Sequence, residues 1–225
     1  MAQNEVKNMS AVLEKPFARF NLEGKLTDKS FYLPGVFTFE EYLNLHEDNL
    51  CSEWIDGKVL IMAAASVAHQ RIGSFLEVLI KIYCAKHGIG EVFRSPIAVK
   101  INIFAGREPD LFFIKKENLH IVKPTFVKGA PDLAIEIVSP ESIERDRVDK
   151  FHEHQHSGVK EFWLIDPDKY ECEFYQLIDD KFQLIEKMAE GIFYSKIVTG
   201  FFFHVEHLWK MDSPTLEALK ELELL

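Results

Sequence analysis

Residues 131–140 read PDLAIEIVSP, a pattern typical of a strand in the middle of a sheet. Side chains alternate along a strand, which predicts Leu133, Ile135 and Ile137 on one face and Ala134, Glu136 and Val138 on the other. A strand that is apolar on both faces is covered on both sides. Because an unpaired carboxylate costs several kcal/mol in such a place, Glu136 indicates either a buried ion pair with an Arg or Lys, or a functional group.

The patterns around this strand predict a chain that mixes helices and strands. Apolar residues at three- and four-residue spacing predict a long helix over about 68–87, and a polar helix is predicted over about 142–158. The stretch KEFWLIDP, residues 160–167, predicts the strand that follows that polar helix. Upstream, Asp56-Gly57 is a dipeptide that accepts the positive φ angles of a tight hairpin turn.

The remaining elements are mostly short strands and turns. Residues 97–104 and 110–114 predict two strands divided by a turn at AGRE, residues 105–108, and the last third of the chain is predicted mostly β. Thr38 and Glu41 have the spacing of a capping box, and Ser213 with Pro214 marks the start of a final helix. The order of elements predicts an α/β fold, a mixed β-sheet core flanked by helices, with additional β-hairpins.

Length, charge and composition limit the function classes. With 225 residues and 47% hydrophobic content, the chain is predicted to form an N-terminal arm over 1–35 and a single domain over 36–225. A net charge of -10 argues against a broad basic surface for unspecific nucleic-acid binding. Three scattered cysteines, Cys51, Cys84 and Cys172, predict reduced thiols in a cytoplasmic protein, and all three are expected to be core fillers. The lack of a long apolar run argues against a membrane or secreted protein.

Asp110 is a second carboxylate at the start of an apolar strand. It opens the stretch DLFFI, 26 residues before Glu136. If the two strands are neighbours, Asp110 and Glu136 converge with the main-chain carbonyl near Ile137, a set of oxygen ligands that suits Mg²⁺ or Mn²⁺. Such a metal would offset the cost of the buried charge, although Asp110 taken alone also fits an edge or turn aspartate.

Lys150 is the candidate cation for this site. Val138 lies two residues after Glu136 on the same face, so the strand itself offers no cation there. In the following helix Arg147, Lys150 and His154 recur at three and four, which predicts a shared face. Lys150 lies about 12 Å along that helix from Ser142, so its long stem can reach back to the strand. The alternative is that ERDRVDK, residues 144–150, is a solvated charged face.

Three further sets of polar residues carry weaker signals. His69 begins the long helix in line with its apolar face, where a histidine is most often structural, and Glu53 lies in the predicted hairpin, where a carboxylate is usually solvated. His152, His154 and His156 alternate at two, which on a helix splays the imidazoles over different faces, so they do not predict a zinc site.

Several motifs, taken in chain order, resemble one protein family. EPDLFFI (108–114), GAPDLAIEIVSPES (129–142) and DRVDKFHEHQHSGVKEFWLIDP (146–167) resemble the Uma-two family of restriction-endonuclease-like proteins, within the PD-(D/E)XK nuclease superfamily. EWIDGKVLIM (53–62) and HQRIGSFLEVLI (69–80) resemble that family's opening hairpin and first core helix, so the resemblance covers about residues 36–210.

The resemblance implies a role for each candidate residue. It implies catalytic roles for Asp110, Glu136 and Lys150, and a metal bound by Asp110, Glu136 and the carbonyl of Ile137. Val138 stands where the superfamily usually carries a lysine, which the resemblance implies has moved to the helix as Lys150. His69 and Glu53 become accessory residues, and His154 stands where a tyrosine is expected in this family.

The function that the resemblance implies is metal-dependent hydrolysis of nucleic-acid phosphodiesters, with DNA as the expected substrate. A homodimer is the expected assembly, because the aromatic-rich β third of the chain, with 12% aromatics overall, favours self-association. The acidic charge calls for a local basic rim, predicted from Arg94, Lys100, Arg107, Lys115, Lys116, Lys123 and Lys128. Two alternatives are a catalytically silent domain for nucleic-acid binding or assembly, and a metal-dependent hydrolase acting on a small phosphate ester.

Overall fold

A computed structural model of the chain describes residues 30–46, 51–140, 142–143, 145–212 and 214–225. In these residues the α-helices are α1 (Phe39–His46), α2 (Val67–His87), α3 (Phe151–Ser157) and α4 (Thr215–Glu221). The strands are β1 (Phe31–Tyr32), β2 (Ser52–Ile55), β3 (Lys58–Ile61), β4 (Gly90–Arg94), β5 (Ala98–Lys100), β6 (Ala105–Arg107), β7 (Leu111–Lys115), β8 (Phe126–Lys128), β9 (Leu133–Ile137), β10 (Glu161–Asp166), β11 (Glu171–Ile178), β12 (Lys181–Met188), β13 (Ile192–Tyr194) and β14 (Phe202–His204). The predicted α/β fold with a mixed sheet, flanking helices and additional hairpins is confirmed.

The first sheet is built around the predicted hairpin of β2 and β3. Its strands lie in the order β1-β3-β2-β6-β5-β8. Asp56 and Gly57 have φ angles of 48° and 79°, as a tight turn between β2 and β3 requires. Phe31–Tyr32 pairs with β3, although it falls within the predicted N-terminal arm. Residues 1–29 lie outside the described residues, so the division into an arm and a domain stays a prediction.

One turn prediction in this sheet is wrong. Residues Ala105–Arg107 form strand β6, which pairs with both β2 and β5, instead of a turn. A Cβ atom on Gly106 would lie 2.6 Å from the ring of Phe39, so the glycine serves close packing of the sheet against α1. The turn instead precedes β6, where the side-chain oxygen of Asn102 accepts a hydrogen bond from the Phe104 N–H at 2.7 Å.

The second sheet places PDLAIEIVSP at its centre. Its order is β12-β11-β10-β9-β7-β4, with β9 parallel to β10 and antiparallel to β7. The predicted alternation is confirmed, because Leu133, Ile135 and Ile137 pack in the core with α2 while Ala134 and Val138 pack in a separate cluster with Phe162 and Leu164. Both faces of β9 are therefore buried, and Glu136 is fully buried on the second face.

Local signals in the sequence fix several helix ends. The Ser66 hydroxyl accepts a hydrogen bond from the His69 N–H at the start of α2, and Gly88 ends that helix with φ 62°. The capping box at the start of α1 is confirmed, since the Thr38 N–H donates to Glu41 Oε2 at 2.7 Å and the Glu41 N–H to Thr38 Oγ1 at 3.2 Å. Ser213, the predicted cap of the last helix, lies outside the described residues, and α4 begins at Thr215 after Pro214.

The polar helix after β9 differs from the predicted α-helix. Arg145–Lys150 is a π-helix that continues directly into α3, and Gly158 ends the helix with φ 93°. A π-helix has more residues per turn than an α-helix, which changes the faces on which its side chains lie. The shared face predicted for Arg147, Lys150 and His154 is therefore wrong for Arg147, which pairs with Asp166 and Glu173 instead.

The predictions about the cysteines and about membrane-spanning helices can be compared with the structure. Cys84 and Cys172 are buried as core fillers, whereas Cys51 is exposed. Across the described ranges, no helix has the length and apolar character needed to span a membrane.

Candidate active site

Lys150 lies at the centre of a buried group of carboxylates. Its Nζ atom is 2.9 Å from Glu136 Oε2, 3.1 Å from Glu53 Oε1 and 3.3 Å from Asp146 Oδ1. The side chains of Lys150 and its three partners are at most 4% exposed. The π-helix supplies Asp146 and Lys150, β9 supplies Glu136 and β2 supplies Glu53. The structure thus brings together three of the predicted site residues, from parts of the chain that are far apart.

Lys150 is held in its charged form by these neighbours. Burial alone would lower its pKa, but the charges of Glu136, Glu53 and Asp146 outweigh burial and raise the pKa well above its ordinary value. The ammonium group therefore acts as a fixed positive charge and not as a proton acceptor at neutral pH.

The carboxylates around Lys150 are not equivalent. Burial would raise the pKa of Glu53, but Lys150, Arg107 and Arg145 together lower it to about 2. Burial, together with the charge of Glu136, raises the pKa of Asp146 above its ordinary value despite the opposing charge of Lys150. Three carboxylates share Lys150, and Glu53 is also paired with Arg107 and Arg145, which balance its charge.

Asp110 lies beside Glu136 at the edge of this group. Leu111 and Ile135 are paired residues of β7 and β9, and Asp110 comes one residue before that pair. The Ile137 N–H donates to Asp110 Oδ2 at 2.7 Å, which fixes the carboxylate against β9. Its side chain is 21% exposed whereas Glu136 is fully buried, so Asp110 is the member of this pair that is in contact with solvent.

His69 is the second partner of Asp110. Its Nε2 atom lies 3.0 Å from Asp110 Oδ2, at the start of α2. Burial lowers the pKa of His69, but the hydrogen bond to Asp110 and the charges of Asp110 and Glu136 outweigh it, so the net shift is upward. Within the described residues, His69 Nδ1 is buried without a hydrogen-bond partner.

His154 contacts the second oxygen of Glu136. Its Nε2 atom lies 3.3 Å from Glu136 Oε1, and the imidazole is fully buried beside Phe162. Glu136 is thus held from two sides, by Lys150 and by His154. His152 and His156 are exposed, with ring centroids 6.5 Å apart, so the predicted splay is correct for buried His154 and wrong for the other two, which share a face.

Arg107 was missed as a buried partner of this site. Its side chain is 1% exposed, with Nη1 2.8 Å from Glu53 Oε2 and the rest of the guanidinium against Glu153. Arg107 therefore cannot belong to the predicted basic rim. The mistaken turn at residues 105–108 concealed its strand position. Asp146, also missed, had a usable signal in its four-residue spacing before Lys150.

Of the other predicted rim residues, Arg94 lies near the site, because it pairs with Leu111 next to Asp110 and its charge acts on His69, whereas Lys115 and Lys116 lie away from it. Arg94 contacts Gln70, Ser74 and Glu77 on α2. Lys115 lies at the other end of β7 from Asp110, about 16 Å away at the rise of a strand, and Lys116 follows it.

The residues around Glu136 suit a hard divalent cation. Within the part of the chain that the structure describes, no three His, Cys, Asp or Glu side chains are grouped as a metal site of their own. Mg²⁺ commonly uses one or two protein carboxylates and keeps several water ligands, so Asp110 and Glu136 with the Ile137 carbonyl match its needs. The exposure of Asp110 to solvent also favours a cation there.

Comparisons with known proteins agree with this fold. The family model Uma2, described as "Putative restriction endonuclease", matches residues 39–201, a range that contains Glu53, His69, Asp110, Glu136 and Lys150. A crystal structure from Anabaena variabilis, described as "a putative nuclease belonging to DUF820", is 20% identical with a TM-score of 0.64. That match covers 77% of this chain and 97% of the other, and it shows that the two share the restriction-endonuclease-like fold. A comparison with curated proteins gives no match.

Proposed function

We propose that this chain, which belongs to the Uma2 family, is a divalent-metal-dependent endonuclease that hydrolyses nucleic-acid phosphodiester bonds, with DNA as the expected substrate. The observation that carries the proposal is the contact of 2.9 Å between Lys150 on the helix and Glu136 on β9, with Asp110 beside Glu136 on the next strand. This arrangement supports Asp110, Glu136 and Lys150 as catalytic residues, and Glu53 and His69 as accessory residues.

The metal would be Mg²⁺ or Mn²⁺, bound by Asp110, Glu136 and the carbonyl of Ile137. When bound, it supplies a Lewis acid for the phosphoryl oxygen and lowers the pKa of a coordinated water.

The chain's own residues supply a fixed positive charge and an ordered carboxylate pair. Lys150 stays protonated, so it stabilises negative charge that develops on the phosphoryl group, or orients the attacking water by hydrogen bonding. The Ile137 N–H and His69 hold Asp110, while His154 holds the second oxygen of Glu136. Glu53 also holds Lys150, with Oε1 3.1 Å from Nζ.

A second candidate is a catalytically silent domain for nucleic-acid binding or assembly. Lys150 and His154 already occupy both oxygens of Glu136, and the chain carries a net charge of -10. Both features would also suit a fold in which the buried carboxylate serves only stability.

A cleavage assay separates the two candidates. Wild type should nick or cut plasmid, linear or single-stranded substrate in Mg²⁺ or Mn²⁺, and Glu136→Ala should lose all cleavage while remaining folded. Glu171→Gln, on β11 of the same sheet and paired with Lys187, is the matched control and should cleave like wild type. Cleavage that survives in Glu136→Ala would overturn the site, and Mn²⁺ binding without turnover on any substrate would favour the silent domain.

The finer assignments are predictions of the same proposal. A homodimer can be tested by light scattering, and DNA against RNA by the substrates of the cleavage assay. A cytoplasmic location is expected from the free thiols and can be tested by cell fractionation.

A further inference from the structure

Arg107 makes an unusually complete set of contacts with carboxylates. Its Nε and Nη2 atoms donate to Oε2 and Oε1 of Glu153 at 2.6 and 2.7 Å, as the two prongs of a fork. Its Nη1 atom donates to Glu53 Oε2 at 2.8 Å. The planar guanidinium fixes both carboxylates at once, which a lysine cannot do.

This contact joins three separate elements. Arg107 lies on β6, Glu53 on β2 and Glu153 on α3, the helix that follows Lys150. A buried ion pair gives little net stability compared with an apolar core of the same volume. The three charges therefore call for a reason beyond stability.

The position of Glu53 supplies that reason. Because Arg107 takes Oε2, the other oxygen of Glu53 is left to face Lys150 Nζ at 3.1 Å. Glu53 Oε1 is buried, and among the described residues the ammonium group of Lys150 is the cation that lies 3.1 Å from it. Glu53 and Glu136 share one ammonium group, and the place of Glu53 decides how that group is shared.

We propose that Arg107 is a positioning residue of the candidate active site, which fixes Glu53 and thereby holds Lys150 against Glu136. Its effect on catalysis rests on the proposed nuclease function, whereas its effect on the contact between Glu53 and Lys150 does not.

Arg147 provides a matched control, on the helical segment that carries Lys150. It also binds two carboxylates, Asp166 Oδ2 and Glu173 Oε1, each at 2.9 Å, but neither of them contacts Lys150. Arg107→Lys and Arg147→Lys both keep the positive charge and remove the planar guanidinium that binds two carboxylates at once. A purely structural role in anchoring the helix predicts similar effects of the two changes.

The first test needs no nuclease activity. Lys150→Met is made in wild type, in Arg107→Lys and in Arg147→Lys, and the urea midpoint of unfolding is measured for each pair. In Arg107→Lys the loss caused by Lys150→Met should be smaller than in wild type by about 0.3 M urea or more, because the contact is already weakened. In Arg147→Lys the loss should equal that in wild type. An equal loss in all three backgrounds, or a larger one in Arg107→Lys, would overturn the proposal.

The second test measures cleavage. Arg107→Lys should lower kcat about 10- to 100-fold, the usual effect of losing an outer partner of a site, with KM changed less than about threefold. Arg147→Lys should leave both constants within about threefold of wild type. If kcat falls equally in both variants, Arg107 only attaches the helix to the sheet and does not position the site.

The two tests keep separate failures apart. If wild type cleaves no substrate, the nuclease proposal fails while the urea comparison still decides the role of Arg107. If Arg107→Lys does not fold, Glu153→Gln replaces it in both tests. That change weakens the contact of Arg107 with Glu153, the more exposed of its two partners, and the same results are expected from it.

Discussion

Replacing Lys150 by Met removes the charge at the centre of the candidate site and keeps most of the volume of the side chain. Glu136, Glu53 and Asp146 then lose the ammonium group that lies 2.9 to 3.3 Å from them. Burial raises the pKa of Glu53, but nearby positive charges lower it to about 2, and the effect of Lys150 is the largest among these charges. Without Lys150, at least one buried carboxylate must take up a proton or remain unpaired.

The cost can be worked out from that proton. A glutamate with an ordinary pKa near 4.3 costs roughly 3.7 kcal/mol to protonate at pH 7, since each pH unit is worth about 1.36 kcal/mol. This agrees with the roughly 3–5 kcal/mol lost when one partner of a buried ion pair is removed. We therefore expect Lys150→Met to lower the free energy of unfolding by about 3–5 kcal/mol at pH 7.

The loss should also depend on pH, with a definite sign. Above the ordinary pKa of glutamate, the folded variant holds a proton that the unfolded chain does not, so lowering the pH stabilises the folded variant relative to wild type. At pH 5.5 the same protonation costs roughly 1.6 kcal/mol, so the difference between variant and wild type should shrink by about 2 kcal/mol for each proton taken up.

Urea unfolding of both proteins at pH 7 and pH 5.5 measures this difference. Lys187→Met is the control, because Lys187 is 49% exposed and contacts Glu171 and Glu173 at the surface. It should cost less than about 1 kcal/mol at either pH. A loss below about 1 kcal/mol in Lys150→Met, or a loss that is the same at both pH values, would refute the reasoning.

Two further changes test other parts of the structure. Asp110→Asn should abolish the heat of Mn²⁺ binding in titration calorimetry, because one of the two proposed carboxylate ligands is lost. The control Asp168→Asn, at an exposed turn, should bind Mn²⁺ like wild type. If Asp110→Asn still binds Mn²⁺, Asp110 is not a metal ligand. Gly158→Ala should lower Tm by about 2–4 °C through backbone strain alone, because φ is 93° and nothing lies within 4 Å of an added Cβ atom, and an unchanged Tm would argue against the left-handed cap.

Much of the fold could be predicted because its signals are local. Alternation along residues 131–140 placed Glu136 on a buried face, and Asp56-Gly57 marked the β2–β3 turn. In the last third, which was predicted mostly β, strand β14 ends at His204. The chain then continues as a 3₁₀ helix, Val205–Trp209, which buries Val205 and Leu208 in the core.

The sequence predicted which residues form the candidate site but not how their side chains are arranged. Val138 on the face of Glu136 indicated that a cation must come from elsewhere, and Lys150 does contact Glu136. The π-helix, which sends Arg147 to other partners, has no clear signal in the spacing of charged residues. The partners of Arg107 lie 54 and 46 residues away in the chain, and such distant pairs of long side chains leave no pattern in one sequence.

The central claim is that Asp110 and Glu136 together bind a divalent cation. Crystals soaked in Mn²⁺ test it most directly, through the anomalous scattering of the metal. We predict an anomalous peak with Asp110, Glu136 and the Ile137 carbonyl as ligands, and its loss in Glu136→Gln crystals treated in the same way. If crystals soaked at a saturating Mn²⁺ concentration show no anomalous peak at these residues, and Glu136 is still paired with Lys150 and His154, the proposed metal site is wrong.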